Sequence, residues 1–267
     1  MNTFGTSTAG FERPTATGLI VAAGVVVSLL IASALLQPRT AVGEDLKSLL
    51  ADEQALMRTA AQRAGDPQLS VRMAELRASI AYRKFAQGDI DGAVAYLENS
   101  LALDPKRADR LSMLGDLYQL LGVPAARLLA QNAYERALAL DPERWKTRIK
   151  LAAAYLASER FFSAVDEFER ALQAGREAPG GEYIVPLAVA YTVTDQAPRG
   201  VAFCDKMLQA GGDARFRVAK AVLTHHQGDR PGAVRLLREV ETASPGTQLA
   251  LYAARLRQGY EGEEGGR

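Results

Sequence analysis

The chain has 267 residues, of which 48% are hydrophobic, so it can form one or two domains and bury a core. Its 32 lysine and arginine residues nearly balance 31 acidic residues, and the net charge of +1 gives no field that would hold a nucleic acid. The single cysteine, Cys204, excludes an internal disulfide and any metal site built from several cysteines; we predict that its thiol is buried. Low aromatic content and abundant alanine, leucine and arginine favour an all-α fold.

An uncharged apolar run lies near the start of the chain, after a short N-terminal segment at residues 1–17. No charged residue occurs from Thr15 to Gln37. The core of the run, residues 18–36, would form a helix of about 28 Å, which matches the ~30 Å hydrocarbon layer of a bilayer. The sequence therefore predicts a single transmembrane helix bounded by Pro14 and Pro38.

A cleaved signal peptide is the alternative interpretation of this run, with Ala32-Ser33-Ala34 as the cleavage site. The run exceeds the roughly 7–15 apolar residues of a signal peptide, and the segment before it carries only Arg13 beside Glu12. An uncleaved anchor is therefore favoured. The positive-inside rule leaves its orientation open, because Arg13 on one side faces Arg39 and Lys47 on the other.

Small residues recur at every fourth position within the run, at Gly24, Ser28 and Ala32. Such a stripe lets a second transmembrane helix approach closely. We expect it to be a helix contact in the membrane, through which the chain could self-associate.

Residues 37–68 are predicted to form a linker and an amphipathic helix. From Glu44 to Ala64 one broad stripe is apolar, at Leu46, Leu49, Leu50, Leu56, Met57, Ala60 and Ala64. Asp66-Pro67 is expected to end this helix. We expect it to pack on the following domain; a self-associating stalk is the alternative, disfavoured because Glu53 interrupts the seam.

A pattern with a period near 34 residues follows this helix. Its clearest unit alternates large and small residues at Leu111, Leu114, Gly115, Tyr118, Gly122, Ala130, Tyr134, Ala137, Leu138 and Pro142. This unit resembles the tetratricopeptide repeat, a pair of antiparallel helices. Gly122 lies eight positions before Ala130, three more than in that repeat, and we interpret Val123-Pro124-Ala125 as a lengthened turn between the helices.

The neighbouring units carry the same pattern with substitutions. The preceding unit has Gly88, Asp89, Ala93, Leu97, Leu101, Asp104 and Pro105, and the following unit has Leu151, Ala152, Tyr155, Ala164, Phe168 and Ala171. A fourth, degenerate unit has Leu187, Ala188 and Tyr191 but Gly200 and Cys204 in its second helix, and a fifth has Gly228, Asp229, Ala233, Leu237 and Pro245. The resemblance covers about Leu69 to Pro245.

The resemblance implies an all-α chain in which the transmembrane helix precedes an α-solenoid of about five tetratricopeptide-like helix pairs. The array is expected over residues 69–258, with Gln248–Gln258 as a capping helix, and residues 259–267 are expected to be a flexible acidic tail. The predicted core includes Leu97, Tyr134, Phe168 and Leu237.

In tetratricopeptide arrays the first helix of each pair lines a concave face, where a protein or peptide partner binds. The resemblance places eight partner-binding residues on this face: Glu75, Tyr82, Phe85, Ser112, Asp116, Gln119, Lys146 and Lys150.

One known specialisation of the family captures the C-terminal carboxylate of chaperones. Lys146 and Lys150 match the basic pair that such proteins carry on a third unit, but Ala78, Tyr82 and Met113 occupy the other clamp positions. The resemblance therefore implies no carboxylate clamp.

No pattern in the sequence indicates an enzyme, a metal or a cofactor. His225 and His226 are adjacent, so on a helix they point about 100° apart and cannot chelate one ion together. Phosphate-binding loops, nucleophile elbows and HExxH strings do not occur.

These features predict a single-pass membrane scaffold of bacterial type that recruits partners, or assists assembly of a membrane or envelope complex. Similar bacterial layouts favour a periplasmic array over one on the cytoplasmic face. Two alternatives remain: a secreted binding protein released by signal cleavage, and a targeting receptor or assembly factor facing the cytoplasm.

Overall fold

The computed structural model describes residues 45–63, 65–174 and 184–262, which form twelve α-helices. The predicted transmembrane helix, with Gly24, Ser28 and Ala32, lies outside these residues. Within the described ranges, no helix is both long enough and apolar enough to cross a membrane.

The helices follow one another with short connections. They are α1 (Leu46–Gln62), α2 (Pro67–Ala86), α3 (Ile90–Leu103), α4 (Ala108–Leu121), α5 (Pro124–Leu140), α6 (Trp145–Ala157), α7 (Phe161–Ala174), α8 (Ile184–Val193), α9 (Ala197–Gln209), α10 (Arg215–His226), α11 (Arg230–Ala243) and α12 (Gln248–Gly262).

Helices α2 to α11 form five successive pairs, and each pair also packs on the next. One continuous apolar core runs through these units, from Ala78 in α2 to Leu223 in α10. A second cluster joins α10 and α11 to α12. The all-α solenoid expected from the 34-residue pattern is confirmed, and Leu97, Tyr134, Phe168 and Leu237 are all buried in it.

Helix α1 packs against α2 and runs antiparallel to it. Leu56 packs with Leu69 and Met73, while Glu53, one turn earlier in α1, pairs at 2.9 Å with Arg77, one turn later in α2. The expected packing of this helix on the following domain is therefore present, and Glu53, which interrupts the seam of the alternative self-associating stalk, takes part in it. Glu53 is buried, and its carboxylate is satisfied there. Its second oxygen accepts a hydrogen bond from the Tyr96 hydroxyl in α3 at 3.1 Å.

Asp66-Pro67 begins α2, although the sequence pattern predicted only that it ends the preceding helix. The Asp66 side chain caps α2 by accepting a hydrogen bond from the Gln68 backbone N–H at 2.9 Å. Pro67 occupies the first helical turn, where its missing N–H has no intrahelical partner to lose.

The prediction of a lengthened turn at Val123-Pro124-Ala125 is wrong. Gly122 ends α4 in the left-handed conformation, with φ 68°, and α5 begins two residues later at Pro124. A proline is well suited to a first helical turn, so the three additional residues extend α5 to 17 residues.

Small residues mark the places where paired helices cross most closely. A Cβ atom on Gly115 would lie 2.5 Å from Cε1 of Tyr134, and Tyr134 itself is fully buried. A Cβ atom on Gly200 would likewise lie 2.7 Å from the Tyr191 ring. The glycine in the degenerate fourth unit therefore preserves a close crossing, although the repeat pattern expects alanine there.

The C-terminal helix α12 extends to Gly262, beyond the predicted end at Gln258. Glu261, expected in a flexible tail, accepts hydrogen bonds from Arg238 at 2.9 Å and from Arg257 at 2.7 Å. The contact with Arg238 joins the last turn of α12 to α11. At positions equivalent to Gly115 and Tyr118, α12 has the exposed residues Arg255 and Gln258, and Leu251 on the same face is 52% exposed.

We predict that Gly115→Ala destabilises the protein although alanine is the better helix former. The added methyl group overpacks the crossing at Tyr134, at a cost of about 1–3 kcal/mol, against a propensity gain of at most about 1 kcal/mol. The free energy of unfolding in urea measures the difference.

Gly259→Ala is the matched control, because Gly259 lies in α12 and a methyl group added there would meet no atom within 4 Å. This change should stabilise the protein by about 0.5–1 kcal/mol. Equal effects of the two substitutions would show that the close crossing at Gly115 does not exist.

Candidate partner-binding surface

The first helices of the second and third units, α4 and α6, run parallel and are joined by two polar contacts. The hydroxyl groups of Ser112 and Thr147 lie 3.0 Å apart, and Lys150 Nζ donates to Asp116 Oδ2 at 2.6 Å. Both contacts join residues one repeat apart. They therefore keep the two helices in register.

Asp116 is the centre of a buried polar group at this interface. Its second carboxylate oxygen accepts a hydrogen bond from the Tyr134 hydroxyl in α5 at 2.8 Å. Burial raises the pKa of Asp116, and the contacts with Lys150 and Tyr134 act in the opposite direction. The ammonium group of Lys150 thus neutralises a carboxylate that would otherwise be costly to bury.

Two of the eight predicted partner-binding residues have a different role. Ser112 and Asp116 are only 6% and 4% exposed, and their polar atoms contact other helices of the array. They stabilise the stacking of units and do not present free groups to a partner. Lys150, half-buried, is held by the same contact.

The other predicted residues remain at or near the surface of the first helices. Glu75 is exposed, and Tyr82, two turns further along α2, is 48% exposed. Phe85 is partly buried against the core, and Gln119 is half-buried. Lys146 is exposed, with its ammonium group 5.2 Å from the centre of the Trp145 ring.

The surface of the first helices continues beyond the third unit, where the predicted partner-binding residues ended. In α8, Val193 is 40% exposed and Val189 is half-buried, and Val222 in α10 is partly buried. The 34-residue spacing could have identified Val189 and Val222, which occupy the repeat position of Tyr82. The first helices of the fourth and fifth units therefore contribute apolar side chains.

A recurring hydrogen bond joins each of the first three units to the next. In each case, the tyrosine of a first helix donates to a glutamate in the preceding second helix. This glutamate comes directly after the core leucine or aromatic residue of that helix. The pairs are Tyr118 to Glu98, Tyr155 to Glu135 and Tyr191 to Glu169. At the fourth interface, Asp205 occupies the position of these glutamates and pairs with Lys220. We call the three tyrosine contacts the tyrosine–glutamate ladder.

The ladder changes the acidity of its tyrosines. Burial raises the pKa of Tyr155 to about 12, and the carboxylate of Glu135, 2.6 Å from the phenol oxygen, adds to the increase. The pKa values of Tyr118 and Tyr191 are raised for the same two reasons. Each phenol is thus held as a neutral donor at physiological pH.

The structure shows the surroundings of the single cysteine and of His225. Cys204 is buried as predicted, and burial raises the pKa of its thiol to about 12, which keeps it protonated. In the described ranges no cluster of histidine, cysteine and acidic residues could hold a metal ion. The His225 ring is stacked on Tyr260, with 3.7 Å between ring centres.

Solved structures with the same fold come from helical-repeat proteins. MamA aligns at a TM-score of 0.54 with 19% identity, over 71% of this chain and 96% of MamA. YrrB, described as a TPR protein with an unusual peptide-binding site, aligns at 0.54 with 18% identity, over 76% of this chain and 99% of YrrB. A MamA fragment from Desulfovibrio magneticus RS-1 aligns at a TM-score of 0.51 with 18% identity, over 65% of this chain and 98% of the fragment.

No protein-family model and no curated protein matches the sequence. At these identities the structural likenesses show the fold alone, which is a solenoid of the tetratricopeptide type.

Proposed function

We propose that this protein is a membrane-anchored scaffold that binds a protein or peptide partner along the first helices of its repeats. Binding there would recruit the partner, or assist assembly of a membrane or envelope complex. The observation that carries this proposal is the exposed aromatic and apolar surface of these helices, led by Tyr82 and Val193, on a rigidly stacked array.

The charges on this surface favour a partner that presents apolar side chains. Lys150, near the middle of the face, is committed to Asp116. Lys146 lies over Trp145, and the sequence supplies no clamp residues to accompany it. We therefore expect recognition of an apolar peptide or helix face, and not of a C-terminal carboxylate. The peptide-binding site named for YrrB supports this kind of ligand by analogy of fold.

The anchor in this proposal rests on the uncharged residues 18–36. We propose that they stay attached, with the array on the periplasmic side. A released binding protein and a cytoplasm-facing receptor or assembly factor are the competing proposals.

The full-length protein should remain with the membrane pellet when cells are broken and the membranes are washed with alkaline carbonate. Because this treatment removes peripheral proteins, recovery in the supernatant would contradict the anchor. Mass spectrometry of the N-terminus separates the alternatives, since signal cleavage leaves a chain that starts near Leu35. A reporter fused after Arg267 shows on which side of the membrane the array lies.

We predict that Tyr82→Ala weakens partner capture about tenfold or more, because truncating an aromatic anchor at an interface commonly costs over ~1.4 kcal/mol. The measurement is recovery of partners bound to the tagged, full-length protein in detergent-solubilised membranes.

Leu140→Ala is the matched control for Tyr82→Ala. Leu140 is similarly exposed, and it lies at the end of α5, the second helix of its pair. Both variants should remain folded, as judged by circular dichroism. Equal loss of partners in the two variants, or no loss in either, would exclude the first-helix face as the binding surface.

A further inference from the structure

The first helices of the first three units end at one common edge of the array. Ser100, near the end of α3, donates to the Ala74 carbonyl at 2.6 Å and accepts from Arg110 Nη1 at 3.1 Å, which places the beginnings of α2 and α4 side by side. The pairs between α4 and α6 extend this parallel arrangement to the third unit. We call the edge that contains the turns after α2, α4 and α6 the turn edge.

The N-terminal end of α1 lies at the same turn edge. Glu53 contacts Arg77, and Leu56 packs with Met73, so α1 is antiparallel to α2. The beginning of α1 at Leu46 is therefore next to the end of α2 at Ala86. The chain that precedes α1 joins the array at this edge.

The turn edge exposes four large apolar side chains in the second and third units. Phe162 and Leu128 are each 66% exposed, and Val123 and Leu129 are about half exposed. We call these four residues the edge patch. Isolated exposed apolar residues are ordinary, but adjacent ones mark a surface that contacts another apolar phase.

Hydrogen bonds to Gln131 bring the two parts of the edge patch together. Gln131 lies one turn after Leu128 in α5, and its Nε2 donates to Ser158 Oγ at 2.7 Å. Its Oε1 accepts from Arg160 Nη1 at 3.4 Å, and Phe162 follows two residues after Arg160. The beginnings of α5 and α7 are thus neighbours.

The charges around the edge patch suit the surface of a bilayer. Arg127 is the only charged residue between positions 121 and 129, and Glu159 and Arg160 are the charged residues between 158 and 163. The Arg160 guanidinium lies 4.3 Å from the centre of the Tyr155 ring. Arginines beside exposed leucine and phenylalanine can reach lipid headgroups while the apolar groups enter the acyl boundary.

The length of the preceding chain places this edge close to the proposed anchor. Only residues 37–44 separate the uncharged run 18–36 from the described residues. Eight fully extended residues span at most about 28 Å. If the run crosses a bilayer, the first turn of α1, where the chain joins the turn edge, stays within this distance of the membrane surface.

We infer that the edge patch inserts its apolar side chains into the surface of the membrane that holds the anchor. The array then stands with its turn edge on the bilayer, and the first helices run away from the lipid. This inference rests on the membrane anchoring proposed above. It identifies the occupant of the patch as lipid, because the chain attaches to the array at this edge and by a short connection.

Tryptophan fluorescence in lipid vesicles tests the inference. The full-length protein is reconstituted into phosphatidylcholine vesicles with or without brominated acyl chains, which quench only indoles that enter the lipid. The test variant carries F162W in a W145F background, so that the introduced indole is alone. We expect its emission to fall about twofold with brominated lipid, as for an interfacial side chain.

The wild-type protein is the matched control, because its single tryptophan, Trp145, begins α6 at the edge opposite the turns. Its emission should not change with brominated lipid. L128W in the W145F background repeats the test if W145F/F162W does not fold, as judged by circular dichroism.

The outcomes separate this inference from the anchoring proposal. Protein that fails to float with the vesicles contradicts the anchor, and the inference with it. Protein that floats but shows no quenching of the indole at position 162 contradicts the inference alone, as does equal quenching of Trp145. Shielding of that indole from aqueous iodide without quenching by brominated lipid would assign the patch to a protein partner, and would also overturn the inference.

Discussion

A pair of helices in this protein has an apolar side that only the next pair can cover, and the rest of the structure depends on this stacking. Within a pair, the two backbones approach closely at Gly115, which leaves room for the Tyr134 ring. Stacking of one pair on the next requires that polar groups at the interfaces be satisfied. The tyrosine–glutamate ladder and the Asp116–Lys150 pair meet that need, and they fix the register of neighbouring units.

The fold could be predicted largely from the sequence, because the spacing of small and large residues reflects contacts within one repeat. Leu114, Gly115 and Tyr118 predicted the first helix of their unit, and the structure contains it. Two of the errors occurred at proline. Pro67 and Pro124 were interpreted as breaks, yet each begins a helix, because a helix boundary depends on the residues on both sides of the proline.

The candidate surface could be predicted less well, because it depends on how one unit packs on the next. Ser112 and Asp116 have the repeat positions of surface residues, and their burial follows from Thr147 and Lys150 of the adjacent unit. The ladder was not identified, although its glutamates recur one position after Leu97, Tyr134 and Phe168. A polar residue beside a core position carries no signal until its partner in the next unit is known.

The two proposed surfaces fit one arrangement at the membrane. If the turn edge rests on the bilayer, the first helices stand away from it, and the face with Tyr82 opens sideways along the membrane plane. A partner that is itself held in the membrane would meet this face without leaving the lipid. The stacked units determine this geometry, so a loosely coupled array would not present one continuous face.

The coupling between units can be measured directly at Tyr155 and Glu135, which belong to different repeats. We expect the free energies of unfolding of the wild type, Y155F, E135Q and the double variant at pH 8 to give a coupling energy of about 1 kcal/mol or more. Because the fold raises the pKa of Tyr155 to about 12, its contribution should be complete below about pH 10 and lost as the pH rises through 12. A coupling energy indistinguishable from zero at pH 8 would contradict the account that these contacts hold the array together.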